Sequence, residues 1–499
     1  MTRARAKSYQ HIIKYTGVFG SVEVLKILIG LIRNKLVAVI LGPDGMGLIS
    51  LFNSTIKLLS DTTGLGIPTS AVREISTASE SEDRDRLEKT VSLVRSLSLL
   101  TAVVGMVLCA SLCSILNKLT FTWGDHTLHF VLLSPVVGLT AILGGELAIL
   151  KGIKELKALA RLSVYGVLVA LLVSVPMFYL WGEAAIVPVL ILTELIQCVL
   201  VMNCSYRRVP LRLSPQKGFM SQARGMITLG LSFVVAGSLS SGADFFIRSY
   251  LNYVGSPGLV GLFNAGFMIV CVYAGMVFSA METDYFPRLS SVKQCGRELN
   301  MVVSEQIEVS VLLISPLLVL LMVFMPIIMP LLYTYEFSQV TVMVQVALLS
   351  LLFRAIYIPI EYISLARSKP MVFLFQEIIA AVLLVCCILG GYTVANLWGA
   401  GAGLTIAYLL EAIFVLIISR VVYGYILSLR ALRYIFLYLL IGLVTYGVVT
   451  FVSGVLYWCV GILLIGFSMG YTFNVLRSNA MIMKVLNKKI LHRKTHSSK

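Results

Sequence analysis

The sequence predicts an all-α membrane protein of fourteen transmembrane helices: two six-helix lobes followed by two C-terminal helices. Three observations predict it. Apolar runs of about 20 residues, the length that spans a bilayer core, recur from end to end of the 499 residues. The chain is 58% hydrophobic and 13% charged, with a mean hydropathy of +0.92, too little charge to clothe a soluble surface. Lys and Arg crowd every second connection and leave the others almost empty.

The spans are expected at 12–40, 46–72, 91–116, 127–150, 159–181, 184–206, 225–251, 257–286, 302–333, 338–366, 371–394, 397–422, 432–453 and 455–477. The first apolar run carries Glu23 and Lys26 and has no small-residue cleavage site, so it reads as a helix and not as a signal peptide. Prolines such as Pro176, Pro316 and Pro359 fall inside spans, where neighbouring helices can satisfy the freed backbone groups. The nine cysteines lie mostly in apolar runs without a Cys-x-x-Cys or a Cys/His cluster, which favours free thiols over disulfides or metal ligands.

The basic residues test the span count. Of the 40 Lys and Arg, 32 lie at the termini or in the even-numbered connections. Positive-inside sorting then places both termini in the cytoplasm and accounts for most of the net charge of +16 without nucleic acid. Lys118 is the exception in an outer connection, and seven basic residues remain: Lys26, Arg33, Lys35, Lys57, Arg95, Arg248 and Arg354.

A short repeat supports the two-lobe plan. Gly47-Leu48-Ile49-Ser50-Leu51-Phe52-Asn53 matches Gly258-Leu259-Val260-Gly261-Leu262-Phe263-Asn264, each after a Gly/Pro turn. Lys35 precedes the first turn and Arg248 the second. Six spans separate the copies, so the repeat is parallel, as in transporters that rock about a midplane site. Residues 1–206 form the expected first lobe and 207–424 the second; 425–477 hold the last two helices, and 478–499 a basic tail.

Charges at membrane depth need a reason. Glu23, Lys26 and Arg33 fall on one helix stripe, with Gly30 beside them. That stripe reads as a water-filled wall presenting cations, or as a network in which Glu23 neutralises Lys26. Lys57 and Asp61 are an i, i+4 pair that could neutralise each other. Asp244 and Arg248 repeat the spacing, and Arg354 and Glu361 lie seven apart. The candidate anion ligands are therefore Lys26, Arg33, Lys35, Lys57, Arg248 and Arg354; the candidate coupling or gating residues are Glu23, Asp61, Asp244 and Glu361. Arg95 reads as a cytoplasmic flank. Glu146, Glu194, Glu377 and Glu411 are proton-site candidates or helix-helix hydrogen-bonding groups. No Walker-type loop, zinc spacing or catalytic constellation is present, so a transporter must draw on a gradient, of protons, another cation or the substrate itself.

At the first hairpin the chain resembles a known family. Lys35-Leu36-Val37-Ala38-Val39, Leu41-Gly42-Pro43-Asp44-Gly45-Met46-Gly47-Leu48, Phe52 and Gly64-Leu65-Gly66-Ile67 look like Wzx-type flippases of the multidrug/oligosaccharidyl-lipid/polysaccharide exporter superfamily. Leu150-Lys151-Gly152, Tyr285-Phe286-Pro287-Arg288-Leu289-Ser290 and Leu365-Ala366-Arg367 add to the likeness. The resemblance implies lobes arranged as a V, alternating access, no cofactor, and a home in the bacterial inner membrane. The implied cargo is an undecaprenyl-diphosphate-linked oligosaccharide such as an O-antigen or enterobacterial common antigen unit. Anionic lipids, a glycan polymerase and a chain-length regulator are the implied partners. A lipid II flippase and a cation-coupled multidrug exporter of the same superfamily are the alternatives; helices 13 and 14 resemble additions seen in lipid II flippases.

Overall fold

The computed structural model describes residues 2–80, 83–121, 124–210, 219–292, 296–367 and 369–478, and every regular element among them is helical. The chain divides into two compact units. The first comprises Met1–Ala265, Met329–Ser338 and Pro370–Leu389; the second comprises Gly266–Ile328, Gln339–Lys369 and Gly390–Lys499.

Helix α1 runs Thr2–Thr63 but is two helices joined at Gly42, whose φ of 64° and ψ of −167° suit glycine and strain other residues. Pro43 then opens the second helix, where its missing N–H costs nothing. The second span, expected to reach residue 72, ends at Thr63. Leu65 (φ 49°) and Gly66 (φ 63°) make a left-handed turn, and a separate helix, α2 (Ile67–Glu80), follows. No Cβ would fit at Gly66, because the Gly230 backbone lies against it.

The first unit continues with α3 (Arg84–Ser111), α4 (Cys113–Thr120), α5 (Thr127–Gly152), α6 (Leu156–Trp181), α7 (Ile186–Arg208) and α8 (Phe219–Val254). Asp83 caps α3 by accepting from the Arg86 amide. Ile67, Ala71 and Ile75 of α2 pack with Val94 and Leu97 of α3 and Ile149 of α5 in one buried cluster. α8 packs along α1 and α2, and α6 along α1.

α9 (Pro257–Phe267) starts where the eighth span was expected, but the helix passes through a π-helical segment at Met268–Tyr273 before α10 (Met276–Ser291). The tenth span is likewise broken, into α12 (Thr341–Ala347) and α13 (Ser350–Ala366), with a 50° bend. α11 (Arg297–Leu332) and α14 (Pro370–Tyr423) complete the repeat region, and α14 breaks at Ala395–Asn396. In the second unit, polar side chains bond to main-chain carbonyls of neighbouring helices: Gln345 Nε2 donates to Met322 O at 3.1 Å, Tyr285 Oη to Pro359 O at 2.6 Å. Of the last helices, α15 (Leu429–Phe451) and α16 (Gly454–Ser478), α16 is tied in the same way. Tyr457 of α16 donates to Val323 O at 2.7 Å.

Among the described residues, eight helical stretches are long and apolar enough to cross a membrane, or nine with the bent pair. Two of them, Leu156–Arg208 and Pro370–Tyr423, have 53 and 54 residues, enough for two crossings each. The protein is a multi-pass membrane protein.

Candidate functional site

The second half of α1 inverts the usual pattern of a membrane helix. Met46, Leu48, Leu51, Phe52, Ile56 and Leu59 are buried, whereas Asn53, Lys57 and Thr62 are exposed. Asn53, Lys57 and Asp61 follow one another at i, i+4 and i+8 and form a stripe. On α3, by contrast, the exposed residues include Leu99, Leu100, Val103, Val104 and Val107, as lipid contact requires. A lysine stripe facing acyl chains would be costly, so this face is built for water or a polar head group. Asp61 packs against α8 near Gly237 and Ser241 and feels the charge of Lys57.

The first half of α1 carries a lipid-type stripe of Leu25, Leu28, Ile32, Leu36 and Val39, all exposed. Lys26 and Arg33 lie about a third of a turn round from it and are half-buried. Open space surrounds the position where Gly30 would carry a Cβ. Arg33 Nε donates to Ser174 Oγ of α6 at 3.1 Å. The Glu23 side chain lies outside the described residues, and with it the expected Glu23–Lys26 pairing.

The other three predicted cations have protein partners of their own. Lys35 Nζ donates to Pro330 O at 2.7 Å and to Tyr333 O. These carbonyls end α11, where the helix dipole favours a cation. Arg248 is buried and pairs with Asp244 at 2.8 Å; it also donates to Ser50 Oγ at 2.9 Å and Asn264 Oδ1 at 3.2 Å. Both serve the repeat, since Ser50 and Asn264 lie in its two copies. In the second unit, Arg354 of α13 lies over the rings of Phe278 and Tyr408, 5.3 and 5.5 Å from their centroids. Its Nη1 donates to Cys271 O, within the π-helical segment, at 3.3 Å. Glu361 shares α13 with Arg354, and its charge acts with that of Glu411 on Tyr357, the ring stacked on Tyr408.

Arg95 is more than a flank. Its Nε meets Glu146 of α5 at 2.9 Å, both side chains nearly sealed from solvent, and its guanidinium covers the Tyr206 ring. The pair joins α3 to α5 across 51 positions, so no local spacing could have announced it. Ser174 and Ser241 were missed for the same reason: serines in apolar helices carry no signal until a partner is seen. Glu194 accepts from Thr140 at 3.1 Å. A cleft of about 230 Å³ at the ends of α2, α3 and α7 contains none of the in-span cations; its Arg84 and Arg208 share the lining with Asp83 and Glu88. Among the described residues, no group of His, Cys, Asp and Glu could hold a metal ion.

Residues 12–293 match the family model described as polysaccharide biosynthesis protein. The chain belongs to that family. No curated protein sequence matches it. Its fold is that of the multidrug/oligosaccharidyl-lipid/polysaccharide superfamily, as the glycine-turn resemblance implied. The lipid II flippase MurJ in an inward closed conformation aligns with a TM-score of 0.69 at 12% identity, covering 93% of this chain and 99% of that one. An inward-facing multidrug resistance MATE family transporter aligns with a TM-score of 0.67 at 16% identity, covering 82% and 98%. A superfamily transporter from Pyrococcus furiosus with a binding pocket of reverse polarity aligns with a TM-score of 0.58 at 15% identity, covering 82% and 94%. These three fold neighbours are a flippase and two transporters.

Proposed function

We propose that this chain is a flippase that moves an undecaprenyl-diphosphate-linked oligosaccharide from the inner to the outer leaflet of a bacterial cytoplasmic membrane by alternating access. The observation that carries the reading is the polar stripe on the otherwise packed second half of α1, with exposed Lys57 between exposed Asn53 and half-buried Asp61. A diphosphate brings about two negative charges, and Lys and Arg are its ordinary partners. Lys57, Arg33 and Lys26 hold the diphosphate in this reading. Asp61 competes for Lys57 and promotes release, directly or on loss of a proton. The Asp244–Arg248 pair and the Arg354 aromatic cage shape and brace the path, and a proton or other cation gradient supplies direction. Both termini lie in the cytoplasm, and a glycan polymerase and chain-length regulator act on the delivered unit.

The test is complementation of strains lacking a known O-antigen or common-antigen flippase. Wild type and Lys57→Arg should restore surface glycan, and Lys57→Ala and Lys57→Glu should not. Full glycan with Lys57→Glu would defeat the proposal. A lipid II flippase is the second reading, favoured by the larger share of this chain that MurJ covers; rescue of a lipid II flippase depletion would select it. Raised drug resistance without any glycan phenotype would select the multidrug exporter.

A further inference from the structure

Arg33 is half-buried, and its only bond among the described residues uses Nε, donated to Ser174 Oγ at 3.1 Å. Neither Nη group has a partner there. Ser174 is itself fully buried, and its hydroxyl proton goes to Ala170 O one turn earlier in α6. The serine's lone pairs are therefore left to accept, and the Arg33 Nε–H is what they take. A guanidinium is a rigid planar fork with five N–H donors. Fixing Nε against α6 excludes side-on pairing through Nε and leaves the Nη1/Nη2 edge, two parallel donors suited to two oxygens of one phosphoryl group.

We propose that Ser174 is a positioning residue that holds Arg33 for end-on, bidentate recognition of a phosphoryl group on the lipid cargo. The inference rests on the flippase reading and adds a specificity element to it. Ser174 touches no cargo; it selects which edge of Arg33 does. A lysine at position 33 would supply charge without the fork. A serine-to-alanine change would leave the charge but free the fork to rotate.

The experiment measures binding of undecaprenyl diphosphate, with undecaprenol as the uncharged control, to the full chain in nanodiscs. Wild type should prefer the diphosphate. Ser174→Ala should weaken that binding about tenfold, the usual scale for a hydrogen bond to a charged group, without a matching loss of melting temperature. Ser174→Thr, which keeps the hydroxyl, should recover most of the affinity. Arg33→Lys should weaken binding, and Ser174→Ala added to Arg33→Ala should cause no further loss. Undiminished affinity in Ser174→Ala, or additive losses in the double variant, would overturn the positioning role while leaving the flippase reading intact. A wild type that binds undecaprenol as tightly as the diphosphate would overturn both.

Discussion

Gly47 and Gly261 each stand four residues after a proline, Pro43 and Pro257, and each lies against the carbonyl of the other's proline. A Cβ on Gly47 would overlap Pro257 O, and one on Gly261 would overlap Pro43 O. The contact is reciprocal, and it lets two helix starts meet backbone to backbone.

This closeness predicts that Gly47→Ala and Gly261→Ala each force the two starts apart. Overpacking of this kind costs about 1–3 kcal/mol, and here the obstacle is main chain, which cannot rotate away. Both variants should melt at lower temperature than wild type in a detergent-based thermal assay. Cysteines placed at Asp44 and Gly258, whose Cβ position lies 2.7 Å from Asp44 Oδ1, should cross-link readily in wild type and poorly in either alanine variant.

The Arg95–Glu146 pair predicts an asymmetric mutational response. Removing one partner of a buried pair strands the other and costs about 3–5 kcal/mol, whereas apolar replacement of both is far milder. Arg95→Met should therefore destabilise more than the double variant Arg95→Met with Glu146→Leu. Thermal denaturation of the three proteins checks the order.

Lys35 and Lys57 should separate by phenotype. Lys35→Met leaves two α11 carbonyls without their donor and should lower stability by about 1–2 kcal/mol while diphosphate binding persists. Lys57→Met, on an exposed face, should do the reverse. Melting and binding curves on the same preparations decide it.

The connection before α5 predicts acid sensitivity. Burial, and then the neighbouring His129, push the His126 imidazole below its ordinary value of 6.5, against the pull of Asp125. His126 Nδ1 lies 3.1 Å from His129 Nδ1. The folded chain thus binds this proton less well than the unfolded chain, so the contribution is complete above 6.5 and is lost as pH falls through the lower folded value. Asp125, held below the usual carboxylate range by hydrogen bonds to Thr127, keeps its contribution until pH drops well below that window. The melting temperature should fall between about pH 7 and pH 5, and His126→Gln should flatten the fall.

Much of the fold was legible because hydropathy and charge report directly on lipid contact. The expected ends of the fifth and sixth spans lie within a few residues of α6 and α7. The errors fall where backbone geometry, invisible in hydropathy, intervenes: the turn at Leu65–Gly66, the π-helical segment at Met268–Tyr273 and the bend between α12 and α13. At the site, sequence identified which charges lay inside spans, because each is an anomaly against its neighbours. It could not say what each one met. Lys35 and Lys57 look alike as letters, and only packing separates a lysine seated on carbonyls from one left on an open face.

The join at Gly42 has a mechanical consequence. A single residue links the two halves of α1, so there is no slack for either to move alone. Any swing of the Lys57 half relative to the Arg33 half must be taken up in the torsions of that one glycine, which makes it the axle on which the two cationic segments turn.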